Sequence, residues 1–245
     1  MKFGLIVVGD EILSGRRRDR HFDFFRGLLA EHGHSLHWLQ ILPDDPALLT
    51  ARLRQTMEEG LPVFSCGGIG ATPDDHTRPC AAEAAGVPLV RHPGAEALIV
   101  ERFGEAARPH RVRMADLPEG AELIPNPVNQ VPGFSIREHH FLPGFPDMAH
   151  PMARWVLEHR YADTEGEAEC SLRVPGVSEN ALMPLLQELD AAWPGVKLFS
   201  LPRRGEVHFV ELGFRGPRER VERAFEALKQ ALEEAGFSWE TEESR

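Results

Sequence analysis

The chain opens with a short, unbroken apolar run, Phe3–Val8, closed by Gly9-Asp10. A run of this length with no polar alternation predicts a strand covered on both faces. Asp19 then stands where a helix cap belongs. Phe22, Phe25 and Leu29 repeat at helical spacing, and Gly33 follows as a stop, so a helix is expected to about Glu31. Ser35–Leu42 reads as a second strand ending in Pro43-Asp44-Asp45. Pro46 suits a first helical turn, and Leu49, Leu53 and Met57 line one helix face up to Gly60. Pro62–Cys66 reads as a third strand running into Gly67-Gly68-Ile69-Gly70, with a helix from Thr77 to Gly86.

This alternation predicts an α/β fold with a parallel, doubly covered sheet. Ligands of such sheets lie beyond the carboxyl ends of the strands. That points to three loops, Gly9–Arg18, Pro43–Pro46 and Gly67–Thr77, and all three carry carboxylates. Further on, Pro93–Ala107 reads as a helix and the proline-rich stretch Pro109–Pro132 as surface chain with short strands. Phe134–Leu142 reads as a strand, Pro143–Pro146 as a turn and Met148–Arg160 as a helix. Around Asp163-Thr164-Glu165-Gly166 the composition shifts. This divides the chain into residues 1–163, an α/β ligand-binding domain, and 166–245, a small α+β domain. In the second part the pattern predicts strand Ala168–Val174, helix Ser178–Ala192, strands Val196–Ser200 and Val207–Phe214, and helix Pro217–Ala235. The stripe of that last helix is Val221, Phe225, Leu228, Leu232 and Ala235.

A length of 245 residues suffices for two independent cores. The formal charge of −11 argues against sequence-independent nucleic-acid binding, which needs a basic surface. No run approaches the roughly 20 apolar residues of a membrane span. With no signal peptide in the amino-terminal pattern, the cytoplasm is the expected compartment. Three scattered cysteines, Cys66, Cys80 and Cys170, make neither a disulfide framework nor a CxxC zinc site. Of the twelve histidines, His139 and His140 adjoin in a strand and so point to opposite faces, which excludes a shared metal.

The chemistry concentrates in Gly67-Gly68-Ile69-Gly70-Ala71-Thr72-Pro73-Asp74-Asp75-His76-Thr77. Glycines after a buried strand let backbone N–H groups approach an anion, and Thr72 and Thr77 add hydroxyls. Aspartates beside a phosphate repel it unless a divalent cation bridges the two, as Mg2+ does with one or two carboxylates. A single aspartate here would read as a helix N-cap; the loop as a whole reads as a ligand site. Asp10 and Glu11 offer further carboxylates, and Ser14 and Gly15 offer donors. Of the run Arg16, Arg17, Arg18 and Arg20, one is expected to reach a phosphate while the rest are solvated. Asp45 reads as an N-cap and Asp44 as a site residue. Asn126, Asn129 and Gln130 present amides suited to a base or pterin edge. Gly213-Phe214-Arg215-Gly216 reads as an ordinary strand-to-helix turn.

Taken in order, Gly9–Gly15, Pro43-Asp44-Asp45, Gly67–Thr77, Asn126-Pro127 and Leu142–Pro146 resemble the molybdopterin-binding (MoaB/Mog-type) domain, in its CinA-like (competence/damage-inducible protein A) branch, over residues 1–160. The resemblance implies a three-layer α/β/α sandwich with a mostly parallel sheet, followed by a small domain like the CinA middle domain. It implies a small phosphorylated ligand, molybdopterin or a nucleotide. CinA-type relatives hydrolyse the pyrophosphate of ADP-ribose with a divalent metal. The alternatives are a binding module without turnover and adenylyl transfer to molybdopterin. The resemblance assigns Asp44 and Asp75 to catalysis, and the acidic loops themselves offer a divalent metal the carboxylates of Asp10, Asp44, Asp74 and Asp75. It gives the phosphate or ligand to Ser14, Gly15, Gly67, Gly68, Gly70, Thr72, Thr77, Asn126, Pro143, Gly144 and Pro146. It also implies a homo-oligomer. The pattern departs from the family at Ala71, Asn129-Gln130 and Asp147, and the chain to Arg245 holds no deamidase domain, so nicotinamide-nucleotide deamidation is not expected.

Overall fold

The computed structural model describes residues 1–164, 166–203 and 208–241. The chain divides into two compact units, Met1–Thr164 and Glu165–Arg245.

The first unit is built on a six-stranded sheet. Its strands are β1 (Lys2–Val8), β2 (Ser35–Leu42), β3 (Val63–Cys66), β6 (Glu122–Ile124), β7 (Gly133–Ile136) and β8 (His139–Leu142), in the order β2-β1-β3-β8-β7-β6. The four strands β2, β1, β3 and β8 are mutually parallel, and β7 and β6 continue the sheet antiparallel. The helices are α1 (Asp10–Leu13), α2 (His21–Glu31), α3 (Pro46–Glu59), α4 (Thr77–Ala85), α5 (Pro93–Phe103) and α6 (Pro146–Arg160). A short ribbon pairs β4 (Leu89–Arg91) with β5 (Asp116–Pro118).

The apolar run in β1 explains the layering. Ile6 and Val8 join Leu49 and Leu53 of α3, Ala81 of α4 and Ile99 of α5 on one face. Phe3, Leu5 and Val7 join Phe25, Leu28 and Leu29 of α2 and Met152, Val156 and Leu157 of α6 on the other. Side chains alternate across a strand, so only a strand packed on both sides needs consecutive apolar residues. Each such burial stabilises the fold by about 1.5–3 kcal/mol. The first unit is therefore the three-layer α/β/α sandwich that the family resemblance implies, built on the doubly covered sheet that the hydrophobic pattern predicts.

Three expectations need correcting. Phe134–Leu142 is not one strand but the hairpin β7–β8, turned at Arg137 and Glu138, whose φ angles are +47° and +56°. Two-residue hairpins with positive φ normally use Asn or Gly, so this turn leaves no compositional trace. The helix from Pro93 stops at Phe103, with a 3-10 turn over Gly104–Ala107. Pro109–Pro132 does not simply cross the surface: Ala115, Leu117 and Ile124 are fully or almost fully buried and belong to the two cores.

In the second unit, β9 (Glu167–Pro175), β10 (Lys197–Arg203), β11 (Phe209–Pro217) and β12 (Glu240–Thr241) form an antiparallel sheet in the order β10-β11-β9-β12. Helices α7 (Glu179–Ala192) and α8 (Arg218–Glu234) bury Leu182, Leu186, Val221, Leu228 and Leu232 against Leu172, Leu212 and Phe214. Ala224, not Phe225, completes the fully buried stripe of α8. Gly213–Gly216 lies inside β11 and is not a turn. The expected start of that strand at Val207 lies outside the described residues.

Candidate functional site

The four parallel strands end side by side, and their following loops meet. Gly9 N–H donates to Leu42 O at 3.0 Å, and Gly67 N–H donates to Leu142 O at 3.0 Å, which knits the strand ends together. Above them lies a cavity of about 460 Å3. Val8 ends β1 at its floor and Gly9 follows, Asp44 follows β2, Gly67–Thr72 follow β3, and Pro143–Phe145 follow β8. A volume of this order accommodates a nucleotide-sized ligand.

The glycine loop takes its shape from close approaches. Gly67 has φ +114°, and a Cβ there would stand 2.3 Å from the Val8 carbonyl oxygen. No side chain fits at that position. At Gly70 a Cβ would stand 2.5 Å from Asp75 Oδ2, so the carboxylate of Asp75 packs directly over the glycine. That carboxylate accepts the Thr72 N–H at 2.8 Å and also the Thr72 hydroxyl. Asp75 thus closes the loop on itself. It does not cap α4, whose N-cap is His76 with no side-chain hydrogen bond.

The acidic rim comprises Glu11, Asp44, Asp74 and Asp75, all lining the cavity. Asp10 does not line it but supports Asp44: the Asp10 N–H donates to Asp44 Oδ2 at 3.0 Å. Burial pushes the Asp44 carboxyl above the usual carboxylate range. The charges of Asp10, Glu11 and Asp74 push the same way, against the opposing Asp10 N–H. The three acidic loops therefore converge on one cavity. Among the described residues, no three His, Cys, Asp or Glu side chains already form a metal cage. The donors fit a hard cation that takes one or two carboxylates and completes its shell from ligand phosphate and water.

Several assigned residues play other parts. Thr77 is fully buried, and its hydroxyl donates to Gly67 O at 2.8 Å, so it braces the loop from beneath. Ser14 and Gly15 are exposed beyond α1 and do not line the cavity, nor does Pro146, which opens α6. Gly67, Gly68, Gly70, Thr72, Asn126, Pro143 and Gly144 do line it. Asp45 caps α3 by accepting the Leu48 N–H at 2.9 Å.

Asn126 is 5% exposed, and its Oδ1 accepts the Val128 N–H at 3.0 Å. Its Nδ2 finds no partner among the described residues. Buried polar groups are nearly always hydrogen-bonded, so this amide is a donor left over in a residue of the cavity wall. From the arginine run it is Arg17 that reaches the cavity, its guanidinium 5.8 Å from the centroid of the exposed Phe145 ring. The apolar wall formed by Ile69, Phe103, Met114, Val131 and Met148 is largely missing from a reading based on polar motifs. Phe103 ends α5, and Met114 sits in a 3-10 turn whose proline-rich surroundings suggest surface.

A family model described as a probable molybdopterin binding domain matches residues 4–162. A CinA-like protein of Gloeobacter violaceus is 34% identical over 198 residues, covering 75% of this chain and 46% of its own length. The chain spans about half the length of several CinA-like proteins it matches. A protein of Aeropyrum pernix is 29% identical over 98% of this chain and 97% of its own length. The crystal structure of CinA from Thermoplasma acidophilum superposes with a TM-score of 0.59 at 29% identity, over 64% of this chain and 98% of that one. A sandwich with its cavity over the parallel strand ends, and a family match spanning that whole unit, establish that this chain belongs to the molybdopterin-binding domain family as a CinA-like member.

Proposed function

We propose that this chain binds a small phosphorylated heterocycle, an adenine nucleotide or molybdopterin, and with a divalent cation hydrolyses a nucleotide diphosphate of the ADP-ribose class. The observation that carries the reading is one cavity in which a glycine loop, four carboxylates and the unpartnered Asn126 amide share a wall. An anion loop beside a carboxylate cluster makes sense when a cation lies between anion and acid.

When bound, a Mg2+-class ion would offset charge on the diphosphate and lower the pKa of a water molecule. The protein's own part is positioning. The loop Gly67–Thr72 would hold one phosphate through its backbone. Asp44 and Asp75 would supply carboxylate oxygens, and Asn126 Nδ2 would donate to a ring or sugar acceptor. The apolar wall of Ile69, Met114 and Val131 would exclude water from the ring system.

The test is hydrolysis of ADP-ribose by the full chain with and without Mg2+, alongside calorimetric binding. Asp75→Asn keeps an acceptor for the Thr72 N–H and hydroxyl but removes the charge. The expected result is metal-dependent turnover that falls at least about a hundredfold in Asp75→Asn while nucleotide still binds. Unchanged turnover in that variant would remove Asp75 from the chemistry.

A second reading is a binding module without turnover. It is favoured by the way Asp10 and Asp44 are tied to each other's backbone and Asp75 to Thr72. Tight, metal-independent binding with no product would establish it instead.

A further inference from the structure

Arg78, the second residue of α4, is only 7% exposed. Its guanidinium spends its donors on main-chain carbonyls. Nε donates to Ile69 O at 3.1 Å, Nη2 to Gly70 O at 2.6 Å, and Nη1 to Asp116 O at 3.1 Å and to Arg113 O. A buried guanidinium usually meets a carboxylate or phosphate in its fork. Here the fork meets two carbonyls of the glycine loop, one carbonyl of the 3-10 turn Arg111–Ala115 and that of Asp116 just beyond it.

The consequence follows from peptide geometry. The Ile69–Gly70 and Gly70–Ala71 peptides are trans, so each carbonyl and the following N–H point in opposite directions. Holding the Ile69 and Gly70 carbonyls on Arg78 turns the N–H groups of Gly70 and Ala71 away from it. Both residues line the cavity. A cation on the carbonyl side also polarises each peptide, making its N–H a stronger donor to an anion.

We propose that Arg78 is a positioning residue that aims the Gly70 and Ala71 N–H groups at the phosphate of the ligand without touching it. The proposal rests on the reading of this cavity as a phosphate site. The same guanidinium binds the carbonyls of Arg113 and Asp116, which flank Met114 in the apolar wall. Arg78 thus holds the anion loop and the ring-contacting wall in one fixed relation.

The test compares the full-length wild type with Arg78→Lys, which keeps the charge but replaces the rigid fork with three donors on a flexible stem. The probes are inorganic pyrophosphate, ADP and adenosine, followed by calorimetry and by amide shifts of Gly70 and Ala71. In the wild type, pyrophosphate is expected to shift those two amides. In Arg78→Lys, affinity for pyrophosphate and ADP is expected to fall about tenfold or more, with adenosine within about twofold. A folded variant with undiminished pyrophosphate affinity, or an equal loss for ADP and adenosine, overturns the role and leaves the phosphate site standing. Wild-type amides of Gly70 and Ala71 that ignore bound pyrophosphate overturn it even if the variant fails to fold. A wild type that binds neither pyrophosphate nor ADP overturns the reading of the site itself, and the role with it.

Discussion

Asp10 and Asp44 clasp one another across the ends of β1 and β2: the Asp10 N–H donates to Asp44 Oδ2 at 3.0 Å, and the Asp44 N–H returns a 3.4 Å bond to Asp10 Oδ1. The clasp fixes the Asp44 carboxyl among like charges, where burial and those charges raise its pKa above 3.8. An acid whose pKa is raised in the fold binds more protons folded than unfolded. Its ionisation therefore costs stability as pH rises from 3.8 through the raised value. Asp44→Asn keeps an acceptor for the Asp10 N–H and removes that cost. We expect a melting temperature about a degree or two above wild type at pH 7, the difference vanishing near pH 3.8, together with lost metal-dependent turnover. Melting curves across pH check this; a variant less stable than wild type at pH 7 contradicts it.

At Gly67 the fold leaves no room. An alanine Cβ would meet the Val8 carbonyl, and its backbone would keep φ +114°. Gly67→Ala should cost about 2–4 kcal/mol in denaturant unfolding. A loss below half a kilocalorie, of the order seen at ordinary surface sites, would show that the strand ends can part without harm.

Asn126→Asp retains the oxygen that accepts from Val128 and Asn129 but has no Nδ2 donor. Nucleotide affinity should fall about tenfold or more, through the lost donor and the added charge beside a phosphate, and thermal stability should fall as well because the new carboxylate is buried. Calorimetric titration of the folded variant decides the matter, and unaltered affinity would mean that the ligand leaves this amide alone.

Acid should unfold the first unit through its interior histidines. His139 Nδ1–H donates to Arg137 O, and its Nε2 accepts from the Thr56 hydroxyl. His140 lies on the other face, between Ser135 and Tyr161. Burial lowers their pKa values from 6.5 to about 4 and about 3. A histidine kept neutral in the fold contributes its full stability above 6.5 and loses it as pH falls toward the lowered value. His150, also lowered to about 4, behaves alike. Urea midpoints should decline from pH 6.5 to 4, and less steeply in His139→Gln. An identical slope in that variant would place the acid sensitivity elsewhere.

Much of this molecule is written in its sequence because its strongest signals are physical necessities. A doubly covered strand needs the run Phe3–Val8, and strand ends that touch need Gly67. The placement of Asp44, Asp74 and Asp75 in one cavity follows from the rule that parallel strands present ligands at their carboxyl ends, whereas Asn126 stands out only for its amide and its match to the family motif. What escapes is whatever depends on tertiary contact. Arg137 and Glu138 form a hairpin turn with residues that do not advertise one. Thr77 looks like a ligand hydroxyl until its partner, the Gly67 carbonyl, is seen. Phe103 and Met114 reach the cavity from segments whose local pattern speaks only of a helix end and a proline-rich crossing. Arg78 carries no motif at all; its four carbonyl partners are gathered by the fold from two stretches of chain.

Every residue around the cavity falls between Val8 and Met148, inside the unit that ends at Thr164. The cavity is thus lined from one uninterrupted block of chain. The family model ends at residue 162, so the stretch that carries the family signature and the stretch that lines the cavity are the same.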